Sequence, residues 1–519
     1  MISESPDKTR LPMRLILGLF IIYALIRIMF WFLAEVGGDE GYYWVWGQHP
    51  SLSYFDHPPL LAWVQGLFAA VFGQSRFTLR LPNLLTTAAI LYVYWLIAGR
   101  LYPQNRRSSF LLIALTLIAS PMLFTFMAQA IMDHLLIALL LGAAYLIIFY
   151  LQDIIDDRQP PVSRLYAGAV LLGLAAITKY NSVFLAIGIG LTVLTDPRLR
   201  PLMRRPQLYI AAFLTLLMTS PVVIWNINHN FQSFRFQVEG RLSAFDTMHF
   251  NPGSFAGFIL GSILVISPFI FWMGIRRFFI DNEAPLRERL RPGQTNVYTE
   301  VAIWTFVSAT LLFLSRSLFT NTLLYWNIPA YPLLVALVAT VLMDKQGRLH
   351  RRKLFYAQQV YGLLLAGLVA FNYAILPLDT WTRKDLGDRG TRHWYGWKNT
   401  ALAVNKVLPT LGDRPLLLTT DHHLAGVMSF TMNRPDIVAI SPRHDEYDVW
   451  FDDRNYNGRN ALIIYDEWKP PSPDLLSRFE RIGKVQTVDI RKFGEPIKKM
   501  FLLPAYHYRV RRGHSEATF

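Results

Sequence analysis

The feature that most constrains this chain is a series of apolar runs, each near the length needed to cross a bilayer. They predict an α-helical polytopic membrane protein with about eleven spanning helices. The runs lie at roughly 13–34, 78–99, 109–126, 133–151, 164–178, 182–195, 207–225, 254–275, 299–314, 327–343 and 354–376. Length alone, 519 residues, would suggest several soluble domains. A hydrophobic share of 53% overrules that. Residues 1–12 are polar and the first run lacks a small-residue cleavage site, so it reads as a retained anchor.

The charge pattern orients the helices. One set of predicted loops carries Lys8 and Arg10, Arg100 to Arg107, Arg158 and Arg164, Arg198 to Arg205, Arg276 to Arg291, and Lys345 to Lys353. The opposite set carries only Arg76, Lys179, Arg235, Arg241 and Arg316. Cytoplasmic loops hold the excess of Lys and Arg. The N-terminus is therefore expected inside, and the loop after the first helix outside. The net charge of +15 is largely this topology signal, and nucleic acid is not needed to explain it. There is no cysteine, which excludes disulfides and thiol chemistry.

After about Leu376 the hydropathy falls. The expected division is a membrane domain over 1–376, with its first outer loop at 35–77, and an extracytoplasmic α/β domain over 377–519. In that tail we predict helices at 396–408 and 473–482 and strands near 415–420, 436–440, 461–465 and 499–503. His422-His423 reads as a loop after a strand. No phosphate-binding glycine loop, HExxH or CxxC motif is present.

The ionisable residues of interest cluster on the outer side. Asp39-Glu40 follows the first helix, among Tyr42, Tyr43, Trp44 and Trp46. The pair can cap the next helix. It can also supply a partly desolvated base for a hydroxyl or amine. Asp56-His57-Pro58-Pro59 opens another helix, because Pro fits a first turn. Asp56 can be a plain cap, and His57 can meet a phosphate or a metal. Asp133 opens the fourth helix as a cap or as a second site acid. Lys179, between two membrane helices, either snorkels or faces an anionic partner. Arg235 and Arg241 can grip phosphate bidentately. His229 and His249 are further ligand candidates. The Tyr325-Trp326-Asn327 segment reads as an aromatic belt or the border of a sugar pocket.

Nucleotide-activated sugars are not normally available outside the cell. A transferase there needs a donor that has already crossed, and a polyprenyl-phosphate sugar fits: its tail needs a groove, its phosphate a cation, and its acceptor a base.

With an acidic pair after helix one, a Tyr54-Phe55-Asp56-x-Pro-Pro segment and an acid in the next outer loop, the chain resembles the membrane glycosyltransferases of the GT-C fold. It is most similar to the bacterial branch joining aminoarabinose transferases of lipid A with the protein O-mannosyltransferase superfamily. The resemblance extends through Leu79-Arg80-Leu81-Pro82, Thr178-Lys179-Tyr180, Trp225-Asn226, Phe234-Arg235-Phe236-Gln237, Gly396-Trp397 and Tyr447-Asp448-Val449-Trp450. It implies inverting transfer from a polyprenyl-monophosphate (undecaprenyl phosphate) sugar to an acceptor on the outer face of the bacterial inner membrane. The implied acceptor is lipid A, lipopolysaccharide or another envelope glycolipid, with a protein hydroxyl as the alternative. By position Asp39 is the general base, Glu40 orients it or contacts the sugar, and Asp133 helps form a substrate pocket. His57 stands near the lipid phosphate, and phosphate binding by Lys179, Arg235 and Arg241 is read from their chemistry. The resemblance places Asp56 at a divalent metal (zinc, magnesium or manganese). Gly240 departs from it: relatives carry a histidine ligand there, so a zinc site would need His229 or His249 instead.

Two other classes compete. A transporter or lipid flippase predicts mid-membrane ionisable residues and inverted repeats, whereas Arg27 alone stands near the centre of a predicted helix. A two-carboxylate hydrolase would not need interfacial cations.

Overall fold

The computed structural model describes residues 13–240, 249–281, 293, 295–382 and 390–510. It is mostly helical. Five helices are long and apolar enough to cross a membrane: Met13–Leu33, Arg76–Leu101, Met132–Ile155, Val297–Ser317 and Arg352–Ala374. Four further predicted spans are each broken into two helices. They bend by 78° after Ile118, 46° after Met218, 96° after Ile266 and 64° after Ala330. Counting each bent pair once gives up to nine spans among the described residues. Shorter apolar helices at Val162–Ala176 and Val183–Thr195 lie where two more spans are predicted.

Every break has a proline in the first turn of its second half: Pro121, Pro221, Pro268 and Pro332. Proline lacks the N–H that would continue the ladder and its ring clashes with the preceding turn. At the sharpest bend Ser267 adopts a positive φ of 115°, and its hydroxyl accepts the Phe269 N–H.

The chain divides into two compact units. One comprises Met1–Ile28, His57–Leu60 and Arg80–Leu368. Its core is an apolar cluster running from Ile16 and Tyr94 through Leu136 and Ile147 to Val335 and Phe355.

The second unit comprises Met29–Asp56, Leu61–Leu79 and Val369–Phe519. Most of residues 35–77 thus group with the C-terminal segment. The physical reason is close helix packing. The helix Gly38–Gln48 crosses the helix His422–Met432 where Gly41 meets Gly426, and a Cβ on Gly41 would lie 2.6 Å from the Gly426 carbonyl carbon. It crosses the helix Leu60–Phe72 where Gly47 meets Gly66.

The sheet of this unit has six strands: β1 Leu416–Thr419, β2 Val438–Ala439, β3 Ala461–Asp466, β4 Phe479–Ile482, β5 Gln486–Lys492 and β6 Glu495–Tyr508. The order is β2-β1-β3-β6-β4, with β5 also on β6. β1 runs parallel to β2 and β3, whereas β6 is antiparallel to β3, β4 and β5. A two-residue turn joins β5 to β6 with Phe493 and Gly494 at φ 52° and 86°, the left-handed pair that suits strand twist. Two expectations are corrected here. The helix predicted over 473–482 ends at Ser477, and 479–482 is strand β4. His422-His423 is not loop but the start of a helix, capped by the Asp421 carboxylate.

Candidate active site

Asp39 lies in the first turn of the helix Gly38–Gln48. Glu40 is buried, and its carboxylate accepts the Gly37 N–H at 2.9 Å. Glu40 therefore fixes the turn that presents Asp39. The Asp39 side chain keeps 47% of its surface exposed, and its Oδ1 lies 3.2 Å from His423 Nε2. Behind His423, Asp421 Oδ1 is 3.7 Å from Nδ1, and Lys469 donates to Asp421 Oδ2 at 2.7 Å. Burial pulls the His423 imidazole down, but the bond to Asp39 and the charges of Asp39 and Asp421 outweigh it and raise its pKa. Burial would raise Asp421, yet the cations around it, His423 and Lys469, hold it well below the usual carboxylate range.

Asp56 belongs to a second cluster in the same unit. It is buried and accepts the Tyr42 hydroxyl at 2.8 Å and a charged bond from Arg443. Tyr42 in turn accepts the Glu446 N–H at 2.9 Å and stacks on Tyr447. The Glu446 carboxylate accepts the Phe55 N–H. Arg443 also donates to the His422 ring, which must then offer a lone pair. Burial, with His423 and Arg443 nearby, pushes the His422 pKa well down, in keeping with a neutral ring. Burial among acids raises Glu446, and pushes Asp445 up to about 8.

In the membrane unit, Lys179 Nζ pairs with Asp133 Oδ1 at 2.8 Å, with both side chains buried. The ammonium lies 5.0 Å from the centre of the Tyr325 ring. His57 is also buried in this unit. Arg235 is exposed at the end of the short helix Gln232–Arg235. Arg241 lies outside the described residues. His229, which follows the helix Ser220–Asn228, stacks on Trp225 with ring centres 4.0 Å apart, and His249 is exposed.

The implied metal can be tested against these donors. Asp421, His422 and His423 place three ligand atoms within 4.8 Å of one another. Lys469 already binds Asp421, and Arg443 binds His422. Two permanent cations inside the group repel a divalent ion, and Asp56 is likewise held by Arg443 and Tyr42. These residues do not fit a metal, and no step is derived through one.

Sequence reasoning missed His423, Asp421, Lys469 and Arg443. The Asp421-His422-His423 string, following a strand, was the available signal.

This architecture defines the class: a polytopic membrane protein with the GT-C glycosyltransferase fold and a small C-terminal sheet unit. The structure aligns with ArnT from Cupriavidus metallidurans bound to undecaprenyl phosphate, with a TM-score of 0.61 and 14% identity, over 95% of this chain and 98% of that one. The apo form of ArnT aligns with a TM-score of 0.59 and 16% identity, over 94% and 98%. Residues 56–225 match the dolichyl-phosphate-mannose-protein mannosyltransferase family. The lipid A galacturonosyltransferase RgtD of Rhizobium johnstonii is 21% identical over 294 residues, 56% of this chain and 58% of RgtD. The chain thus matches less than two thirds of that relative's length.

Proposed function

We propose that this chain is an inverting glycosyltransferase that moves a sugar from a polyprenyl-phosphate donor to lipid A or a related envelope glycolipid. It would work on the outer face of the bacterial inner membrane, with its C-terminal unit in the periplasm. The observation that carries the reading is Asp39: a half-exposed carboxylate held by an imidazole, in a chain whose fold aligns with ArnT over 95% of its length. The name of RgtD supports a lipid A acceptor, and the undecaprenyl phosphate bound by ArnT supports the donor class.

In this reading Asp39 takes the proton of the acceptor hydroxyl as its oxygen attacks the anomeric carbon. The bond to the lipid phosphate breaks on the opposite face, inverting the centre. Lys179, held by Asp133, supplies the counter-charge for the departing phosphate. His57 and Arg235 would contact the donor headgroup, and Arg241 keeps the same proposed role. Glu40 would act through the helix turn it caps, without touching the sugar.

Mass spectrometry of envelope lipids tests this, comparing cells that carry the chain, cells that lack it, and cells with Asp39→Asn. Loss of one sugar mass from a glycolipid in both the null and the variant is expected. Unchanged lipids alongside altered glycoproteins would move the acceptor to a protein hydroxyl, the alternative that the mannosyltransferase family match favours. No change in either would return the chain to the transporter class.

A further inference from the structure

We infer that His423, brought by the C-terminal unit, is the positioning residue of the catalytic base: it holds the Asp39 carboxylate by one oxygen and backs it with a string of charges. The inference rests on the role of Asp39 proposed above. It is carried by three observations within one compact unit.

First, the groups follow one another in charge-pair distance, with hydrogen bonds at the two ends of the string. Lys469 Nζ donates to Asp421 Oδ2 at 2.7 Å, Asp421 Oδ1 lies 3.7 Å from His423 Nδ1, and His423 Nε2 lies 3.2 Å from Asp39 Oδ1. Second, Asp421 is fixed independently of the ring, because its Oδ1 accepts the backbone N–H groups of His423 and Leu424 at 3.0 and 3.3 Å. Third, the backbone is shaped for the approach. A Cβ on Gly38 would fall 2.7 Å from His423 Cβ, and one on Gly41 2.6 Å from the Gly426 backbone. Glycines at 38 and 41 lie on one face of their helix, opposite His423 and Gly426, which share a face of theirs. Any side chain at these glycines would push the imidazole away from Asp39.

A carboxylate rotates freely unless one oxygen is held. The bond to Oδ1 restrains the plane of the Asp39 group, so that the oxygen that takes the acceptor proton is presented in fewer orientations. An imidazolium beside the carboxylate also favours its ionised form. The groups facing His423 are Asp39 from the first-loop helix, Asp421 and His422 from its own segment, Lys469 after β3, and His393. Asp39 and Asp421 favour the charged ring and Lys469 opposes it, whereas His422 and His393, both pushed well down, stay neutral near pH 7.

The test uses membranes containing the full chain with their own donor and acceptor. The initial rate of appearance of the glycolipid mass missing from the null is followed between pH 5 and 8. Wild type, His423→Ala, His423→Gln and Asp39→Asn are compared, with the unfolding temperature of each. The alanine variant is expected to lose about tenfold or more in rate. Glutamine, which can still donate to Oδ1, is expected to recover at least a third of the wild-type rate near pH 7. Without the imidazolium its acid limb should move up by about 0.5–1 pH unit. Alanine at the wild-type rate would overturn the inference. So would glutamine that is as slow as alanine, or glutamine whose acid limb stays in place. Full activity of Asp39→Asn would instead remove the base itself, a separate failure.

Discussion

Replacing Asp445 by asparagine should make the C-terminal unit more stable, and by more at neutral pH than in mild acid. Asp445 is 1% exposed and caps the helix Glu446–Trp450 by accepting the Tyr447 N–H at 2.9 Å. Burial is the main cause that pushes it up to about 8; Asp448 and Asp56 add to the rise, while the Tyr447 bond and Arg443 oppose it. In the unfolded chain its pKa is near 3.8. Between those values the folded form holds a proton that the unfolded form has lost, so stability falls as pH rises. Over the two units from pH 5.5 to 7.5, at about 1.36 kcal/mol per unit, this group alone removes about 2–3 kcal/mol. Asparagine keeps the acceptor for Tyr447 and carries no proton to lose. Thermal unfolding of the detergent-solubilised full chain at the two pH values reads the effect. The gap between variant and wild type should widen by about 5–10 °C from pH 5.5 to 7.5. His423 and Asp421 are common to both proteins and cancel in the difference. A gap that stays constant with pH would refute the assignment of a buried, protonated Asp445.

Two further predictions concern the site and its frame. Lys179→Ala should raise the donor concentration needed for half-maximal transfer at least tenfold, measured by titrating undecaprenyl-phosphate sugar into membranes. An unchanged donor dependence would mean that the Lys179–Asp133 pair is structural. Gly426→Ala places a methyl group against the backbone of Gly41 and Tyr42, and should cost about 1–3 kcal/mol. Unfolding should show the loss, together with reduced transfer because Asp39 and His423 separate. A variant as stable and as active as wild type would contradict the tight crossing.

Asp39, Asp133 and Lys179 are legible as candidates because membrane chains make ionisable residues conspicuous: each stands beside an apolar run where a charge is costly without a purpose. His423 is not, because its bond to Asp39 joins positions 384 apart in the chain. Its helix, too, gives no periodic signal. Residues Leu424 to Phe430 are all buried, so the helix lacks a polar face and reads as an undifferentiated apolar stretch. Glu40 illustrates a different limit. Its proximity to Asp39 suggests a paired function, but only the folded turn reveals that its carboxylate closes on Gly37.

Local chemistry determines much of this protein before it folds. Run length and hydrophobicity require membrane helices, and the breaks fall at the prolines at 121, 221, 268 and 332. These are properties of a segment and its solvent, and need no distant partner. The tertiary structure alone decided that most of residues 35–77 pack into the C-terminal unit and that Arg443 and Tyr42 hold Asp56. It alone decided that the base candidate leans on a histidine from the far end of the chain. Those outcomes depend on glycine pairs that let backbones touch and on charges that find each other only when remote segments are brought together, which no local pattern encodes.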